Sequence, residues 1–407
     1  MRSKIDRRLS SFFKVLPVLV ISLFFLLKPK SLFADKNEVV VWHGFGDEKT
    51  KEVFDNIVER YRLKTATKIR SEYIPYEQIK TALMKITNKT LLPELIIAPA
   101  DFVSIVKLVD LSPVEQKQNI AKDLLATVSY DGKIYGMPIT QGNHLFLYYN
   151  RQLVKTPIND FQDMSSIELP KGTKPIGWNF KESFWFLPFF TAFGGEIFDD
   201  KFNETMSTAA LGKSLEAYYK IGKSFDILEC DYACGSSDFY EGKYAFAING
   251  IWALNEAMAK LGDNLGVAVL PRLDKKILKP LFATKAVLFP GKSLDGAHKD
   301  TLKDFANHLQ SVEVQERFAD LELLPVHPKL LKDHKSSVFP AVIEQLSEVT
   351  PTPNHQRMNF VWEGLRKSLL RYGSYHKKNT KDRQEKIISY MAKFLKRSFD
   401  KEEGKTK

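Results

Sequence analysis

Short apolar runs and longer periodic stretches follow one another from residue 39 onward, and their spacing predicts the elements. Val39-Val40-Val41-Trp42 is a continuous apolar run of strand length, as a strand buried on both faces requires. Asp47 is a capping residue, and Val53, Phe54, Ile57, Val58 and Tyr61 then recur at helical spacing. Residues 68–74 read as a second strand, Ile79, Leu83 and Ile86 as one face of a second helix, and Leu95-Ile96-Ile97 as a third strand. Asp101 is placed to cap a helix carrying Ile105, Val106 and Val109. Strands alternating with helices predict parallel strands joined by right-handed crossovers. Ligands of such sheets sit at the carboxyl ends of the strands, which here are residues 42–47 and 98–101.

Further along, Tyr130-Asp131-Gly132-Lys133 reads as a turn into an extended segment, 134–139, and Leu145 to Asn150 as another. A first crossing between domains is expected near Gln141-Gly142. Residues 151–175 are rich in loop signals, with Pro157, Pro170 and Pro175. Helical periodicity returns at 183–193 and 207–222. Residues 244–248 and 267–271 read as strands, and 282–289 as a strand that carries the return crossing. From about residue 300 the pattern is mostly helical. The spacing shows no internal repeat.

The first 34 residues stand apart. Arg2, Lys4, Arg7, Arg8 and Lys14 make a basic start, and Leu16 to Leu27 form a 12-residue run with Ser22 as its one polar member. A small-residue cleavage point follows at Ala34. This is the plan of a secretory signal peptide, since a spanning helix needs about 20 apolar residues. An uncleaved anchor is the alternative, and the absence of a nearby cysteine gives no support to a lipoprotein signal.

Composition adds bounds. The 407 residues suffice for two domains, and 44% apolar with 27% charged residues is a globular balance. Residues 1–34 hold seven Lys/Arg and one acid, so the formal charge of +11 falls to +5 without them, which calls for no nucleic-acid partner. The basic stretch from His376 to the end reads as a solvated helix face. The two cysteines, Cys230 and Cys234, permit a local disulfide in an exported protein and equally two free thiols. No histidine lies close to complete a metal shell, and no cofactor motif is present.

Five blocks in order resemble the bacterial extracellular solute-binding proteins of the sugar-binding type, and within them the maltodextrin-binding group. They are Val39–Trp42 with its Gly/Asp loop; Pro93–Ile97 leading to Asp101; Tyr130–Ile139 continuing to Tyr149-Asn150; Phe239–Trp252; and Pro353-Asn354, Met358, Trp362 and Arg366. The resemblance implies an α/β, two-lobed periplasmic-binding-protein fold of type II, each lobe a mixed sheet flanked by helices, joined by crossing hinge segments. The lobes are expected at 35–141 plus 283–337 and at 142–282 plus 338–400, after a signal peptide at 1–34 and before a charged tail at 401–407. It implies a monomeric, periplasmic, non-enzymatic binder that hands a carbohydrate to the membrane permease of an ABC importer, with neither metal nor cofactor.

A sugar offers hydroxyls at its rim and C–H patches on its faces, so it needs aromatic platforms with polar side chains at their edges. The resemblance assigns these roles to Asp47, Lys49, Asp101, Asn143, Glu182, Phe184, Trp252, Trp362 and Arg366. Trp42 reads as core, while Trp178 and Trp185 are left undecided. Where the family has an arginine beside the cleft aspartate, this chain has Phe102; where it has a cleft tryptophan, Ala98; where it has an aromatic beside Trp362, Glu363. Two other classes stay in view. One is a same-fold binder of a different solute, a polyamine, a sugar phosphate or other anionic small molecule. The other is an exported glycosidase using Asp101 and Glu182, although none of the short catalytic motifs sought is present.

Overall fold

The computed structural model describes residues 38–85, 93–104, 108–112, 120–199, 201–333, 339–375 and 379–404. The signal-peptide segment and the helical positions Ile86, Ile105 and Val106 lie outside the described residues.

The first sheet grows from the predicted runs. β1 (Val39–His43) pairs in parallel with β2 (Ile69–Tyr73) on one side and β3 (Leu95–Pro99) on the other, in the register Val39–Ile69 and Val41–Leu95. Helix α1 (Glu48–Thr65) makes the first crossover and α2 (Tyr76–Lys85) follows β2. Three more strands complete six. β4 (Gly136–Gln141), β10 (Lys285–Leu288) and β11 (Leu324–Pro325) give the order β11-β4-β10-β3-β1-β2. The returning strand β10 runs antiparallel to both β3 and β4, so within this sheet the parallel pattern holds for the first three strands. Alternation along β3 splits the core: Leu95 and Ile97 join one buried cluster with Val41 and Phe54, and Ile96 and Ala98 join another with Ala286 and Leu288. Burial on both faces is why these strands read as unbroken apolar runs.

The second sheet has four strands, β5 (Leu145–Asn150), β6 (Lys174–Gly177), β7 (Tyr244–Gly250) and β8 (Leu265–Ala268), in the order β8-β5-β7-β6. Around it pack α3 (Ser183–Ala192), α4 (Ala209–Ser224), α5 (Leu254–Leu261), α9 (Met358–Ser374) and α10 (Thr380–Glu402). Helices α6 (Lys299–Leu309) and α7 (Val312–Ala319) pack on the first sheet, and α8 (Phe339–Leu346) contacts the second. In α10, Ile387, Met391, Leu395 and Phe399 form one buried stripe, and the basic side chains take the other faces.

Several elements differ from the sequence reading. β6 falls partly inside the supposed loop and contains Pro175. It survives because β6 is an edge strand, where a missing N–H costs little. The run 282–289 is two strands. β9 (Leu281–Phe282) pairs with β12 (Thr350–Pro351), and the chain then enters β10 with a register shift at Lys285. Residues 133–139 are likewise divided: Lys133–Ile134 close a hairpin on Ser129–Tyr130 before β4 begins. β8 ends at Ala268, short of Pro271. Asp101 lies inside a short 3-10 helix, Ala100–Ser104, instead of preceding an α-helix.

Three segments pass between the sheet systems. They are Gly142-Asn143, linking β4 to β5; Ala283-Thr284, linking β9 to β10; and the stretch around β12. The Ala283 N–H donates to the Gly142 carbonyl at 3.2 Å, so two of these crossings are tied to each other.

Candidate functional site

A cavity of about 800 Å³ opens between the two sheets, within the size range of small-molecule sites. Its first wall comes from the carboxyl ends of β1 and β3. The loop Gly44-Phe45-Gly46 follows β1, and a side-chain carbon on Gly44 would sit 2.0 Å from the Tyr76 ring, so glycine lets that ring lie on the backbone. Asp47 ends the loop as the N-cap of α1, its Oδ1 accepting from the Thr50 N–H at 2.9 Å. Asp101 and Phe102 come from the turn after β3. Lys285, the first residue of β10, is 8% exposed and lines the cavity. Its Nζ lies 5.0 Å from the centre of the Phe45 ring and 5.9 Å from that of Tyr76. Burial pushes this ammonium down to about 8, with the Asp47 carboxylate pulling it back up. The Tyr76 hydroxyl is buried without a hydrogen-bond partner among the described residues, and burial raises its pKa strongly.

The second wall is aromatic. Glu182 precedes α3, and Phe184 and Trp185 occupy its first turn. Ser183 Oγ donates to the Trp362 carbonyl at 3.4 Å and so ties α3 to α9. The Phe184 ring lies 5.8 Å from Trp252 and 6.3 Å from Trp362, and Trp185 meets Trp252 edge-on at 5.9 Å. Trp185 is anchored by its indole N–H, which donates to the Ile248 carbonyl at 2.8 Å. Trp252 folds back over Gly250, where an added side-chain carbon would stand 2.1 Å from the indole. On α9, Trp362 and Arg366 are four residues apart and therefore share a face. Arg366 is held by Glu363 through two 3.1 Å contacts, which raise the pKa of the guanidinium further and lower that of the carboxyl, with Lys367 adding to the latter.

Eight of the nine residues singled out by sequence line this one cavity: Asp47, Asp101, Asn143, Glu182, Phe184, Trp252, Trp362 and Arg366. Asn143 does so from a left-handed backbone, φ 46°, in the β4–β5 crossing. Lys49 does not line the cavity. It is exposed on the first turn of α1, two positions beyond the cap, and two positions rotate a helical side chain by more than half a turn. Sequence reading passed over Lys285, Tyr76 and Asn255, and it left Trp185 undecided. Trp178 is core, its indole N–H donating to the Tyr218 hydroxyl at 2.8 Å, and Trp42 is bound to Glu72 on β2 away from the cavity. Cys230 and Cys234 are joined as a disulfide. His43, at the end of β1, and His144, beside the β4–β5 crossing, are fully buried, and among the described residues no cluster of three metal-ligating side chains exists.

Comparison with known proteins gives one consistent answer. The model of the bacterial extracellular solute-binding protein family matches residues 56–341. The maltodextrin-binding protein MdxE of Bacillus subtilis is 26% identical over 317 residues, 72% of this chain and 74% of that protein. A maltotriose-binding protein of Pyrococcus abyssi is 23% identical over 356 residues, 81% of this chain and 76% of that one. Among solved structures, the maltose/maltodextrin-binding domain MalE from Bdellovibrio bacteriovorus, bound to maltotriose, superposes with a TM-score of 0.78 at 22% identity, covering 89% of this chain and 99% of that domain. The Thermus thermophilus maltotriose binding protein, bound with maltotriose, gives 0.77 at 20% identity, with 88% and 99% covered. The two sheet systems and their crossings are thus the two-lobed type II fold of these binding proteins. The chain belongs to the bacterial extracellular solute-binding protein family.

Proposed function

We propose that the chain is the solute-binding component of an ABC importer and that it captures a carbohydrate, a maltodextrin-like oligosaccharide, in the cavity between its sheets. One observation carries this reading: four aromatic rings, Phe184, Trp185, Trp252 and Trp362, are grouped on one wall with Glu182 and Arg366, and Asp47, Asp101 and Lys285 line the wall opposite. That division of apolar surface and hydrogen-bonding edge is the chemistry a sugar ring presents. The maltodextrin and maltotriose ligands named for its relatives support the same class. The protein binds its solute without transforming it. In this reading, lobes at 35–141 plus 283–337 and 142–282 plus 338–400 close as rigid bodies about the three crossings, and the permease reads the closed form. The protein acts as a monomer, in the periplasm, after removal of residues 1–34.

The test is tryptophan fluorescence and thermal melting of the purified protein, titrated with maltose, maltotriose, trehalose and glycerol-3-phosphate. A ligand that binds only the folded state stabilises it, by about 2.7 kcal/mol at a hundred times Kd. A saturable emission change with a raised Tm for a gluco-oligosaccharide is the expected result. A response to glycerol-3-phosphate alone would keep the binding fold and reject the sugar.

A further inference from the structure

Lys285 is a charged group where its strand would otherwise be entirely apolar. Thr284 precedes it in the crossing, Ala286, Val287 and Leu288 follow it in the strand, and it lines the cavity. Its ammonium makes no hydrogen bond or ion pair among the described residues and rests only on the faces of Phe45 and Tyr76. The side chain is largely buried and receives no acceptor from the described residues, so its three N–H donors are left for oxygens in the cavity. The Tyr76 hydroxyl is buried without a partner among the described residues, and its ring forms part of the seat of the ammonium. An unmet ammonium that lines the cavity, seated on two aromatic rings, constitutes a built site for acceptor oxygens.

Resting on the carbohydrate reading above, we infer that Lys285, seated on the Phe45 and Tyr76 rings, forms the anchoring subsite of the cavity, donating to hydroxyl and ring oxygens of a sugar unit whose faces the tryptophan wall covers, and that Lys285 is the specificity-determining residue. Hydrogen bonds from a charged donor are about twice as strong as neutral ones, so this subsite favours a ligand with several oxygens within reach of one point over an apolar or cationic one. Binding also favours the protonated lysine and therefore weakens as the ammonium titrates. The other titratable groups around Lys285 are Asp47, Tyr76, Lys80 and Asp101 on its own wall and Glu182, Glu363 and Arg366 opposite. All of them are retained in Lys285→Arg, so comparison with that variant isolates the lysine.

The experiment is calorimetric titration of maltotriose into wild type, Lys285→Met and Lys285→Arg at pH 7 and pH 9.5, with Tm of the sugar-free proteins. Wild type is expected to lose about tenfold in affinity between the two pH values, and Lys285→Arg to stay level. Lys285→Met is expected to be weaker by about tenfold or more at pH 7 and level in pH, while melting higher than wild type without sugar because a buried charge has been removed. Equal affinity of wild type and Lys285→Met, or a wild-type pH profile parallel to that of Lys285→Arg, overturns the inference and leaves the sugar reading intact. A lower Tm for sugar-free Lys285→Met makes the lysine a structural residue and also overturns it. Failure of wild type to bind any gluco-oligosaccharide overturns the carbohydrate reading itself, and the subsite falls with it.

Discussion

The Asn255 side-chain amide on α5 donates to Thr50 Oγ1 on α1 at 3.4 Å, joining the two sheet systems beside the cavity. Thr50 is itself fixed, because its N–H is the group that Asp47 caps. The same few atoms therefore end a helix, line the cavity and touch the opposite lobe. A hydrogen bond of this kind contributes about 1 kcal/mol, and this one exists only while the lobes approach each other. Asn255→Ala is expected to weaken sugar binding by a few-fold and to leave the Tm of the sugar-free protein unchanged. Calorimetry gives the first quantity, and the radius of gyration from small-angle scattering, with and without sugar, shows whether closure is what was lost. An unchanged Kd would remove the contact from the closing motion.

Trp252 and Trp362 flank Phe184, and each presents a ring to the cavity. Trp252→Ala or Trp362→Ala is expected to weaken maltotriose binding by roughly tenfold or more, about 1.4 kcal/mol or more, and to abolish most of the fluorescence response. Gly250→Ala supplies a finer test. Gly250 has φ −107°, a value any residue adopts, so the substitution costs no backbone strain, yet its new carbon would collide with the Trp252 indole. The variant should fold and bind as poorly as Trp252→Ala. Wild-type affinity in Gly250→Ala would show that the position of this ring does not matter to the ligand.

The Cys230–Cys234 disulfide closes a short loop, with a sequence separation of 4. It staples the turn Tyr232–Gly235, whose Gly235 carbonyl accepts from Asn249 at 2.8 Å, directly before Gly250 and Trp252. So small a loop confers about 2 kcal/mol in the chain-entropy model. The double variant Cys230→Ser/Cys234→Ser is expected to lose about that much in urea unfolding while keeping its affinity for sugar. A larger fall in affinity than in stability would make the staple part of the binding wall.

How far the sequence could be read depended on how local each signal was. β1, α1, β2 and β3 carry their period in consecutive residues and were legible. So were Trp252 and Trp362, because they sit in ordered blocks whose neighbours are distinctive. β6 was hidden by Pro175, whose tolerance depends on the strand lying at a sheet edge, a property of topology and not of the segment. The break in 282–289 arises from pairing with β12, some 70 residues later, which no local pattern encodes. Lys49 was misplaced because the loop before α1 could be aligned only to within a residue or two, while a helix face is decided by a single position. Lys285 did leave a trace, as one charge in an apolar strand. That trace acquires meaning only when Phe45, Tyr76 and the cavity surround it.

Two buried histidines give the protein an acid-sensitive stability. His43 is enclosed by Phe45, Phe54 and Tyr73, with neither ring nitrogen partnered among the described residues. Burial brings its pKa from 6.5 down to about 4, against the pull of Asp55 and with a smaller push from Lys51. His144, beside the β4–β5 crossing, is likewise brought to about 4 by burial, although its Nε2 lies 3.2 Å from the Val342 carbonyl. Between pH 6.5 and about 4 the unfolded chain binds protons that the folded one refuses, so stability falls as the pH drops through this window and is insensitive to these groups above it. At pH 5 the loss amounts to about 2 kcal/mol per histidine. The Tm of wild type should therefore fall by several degrees from pH 7 to pH 5, and by distinctly less in His43→Leu, which keeps an uncharged side chain among the same rings. Parallel Tm profiles for the two proteins would mean that His43 takes up its proton without unfolding the site, and that the acid sensitivity lies elsewhere.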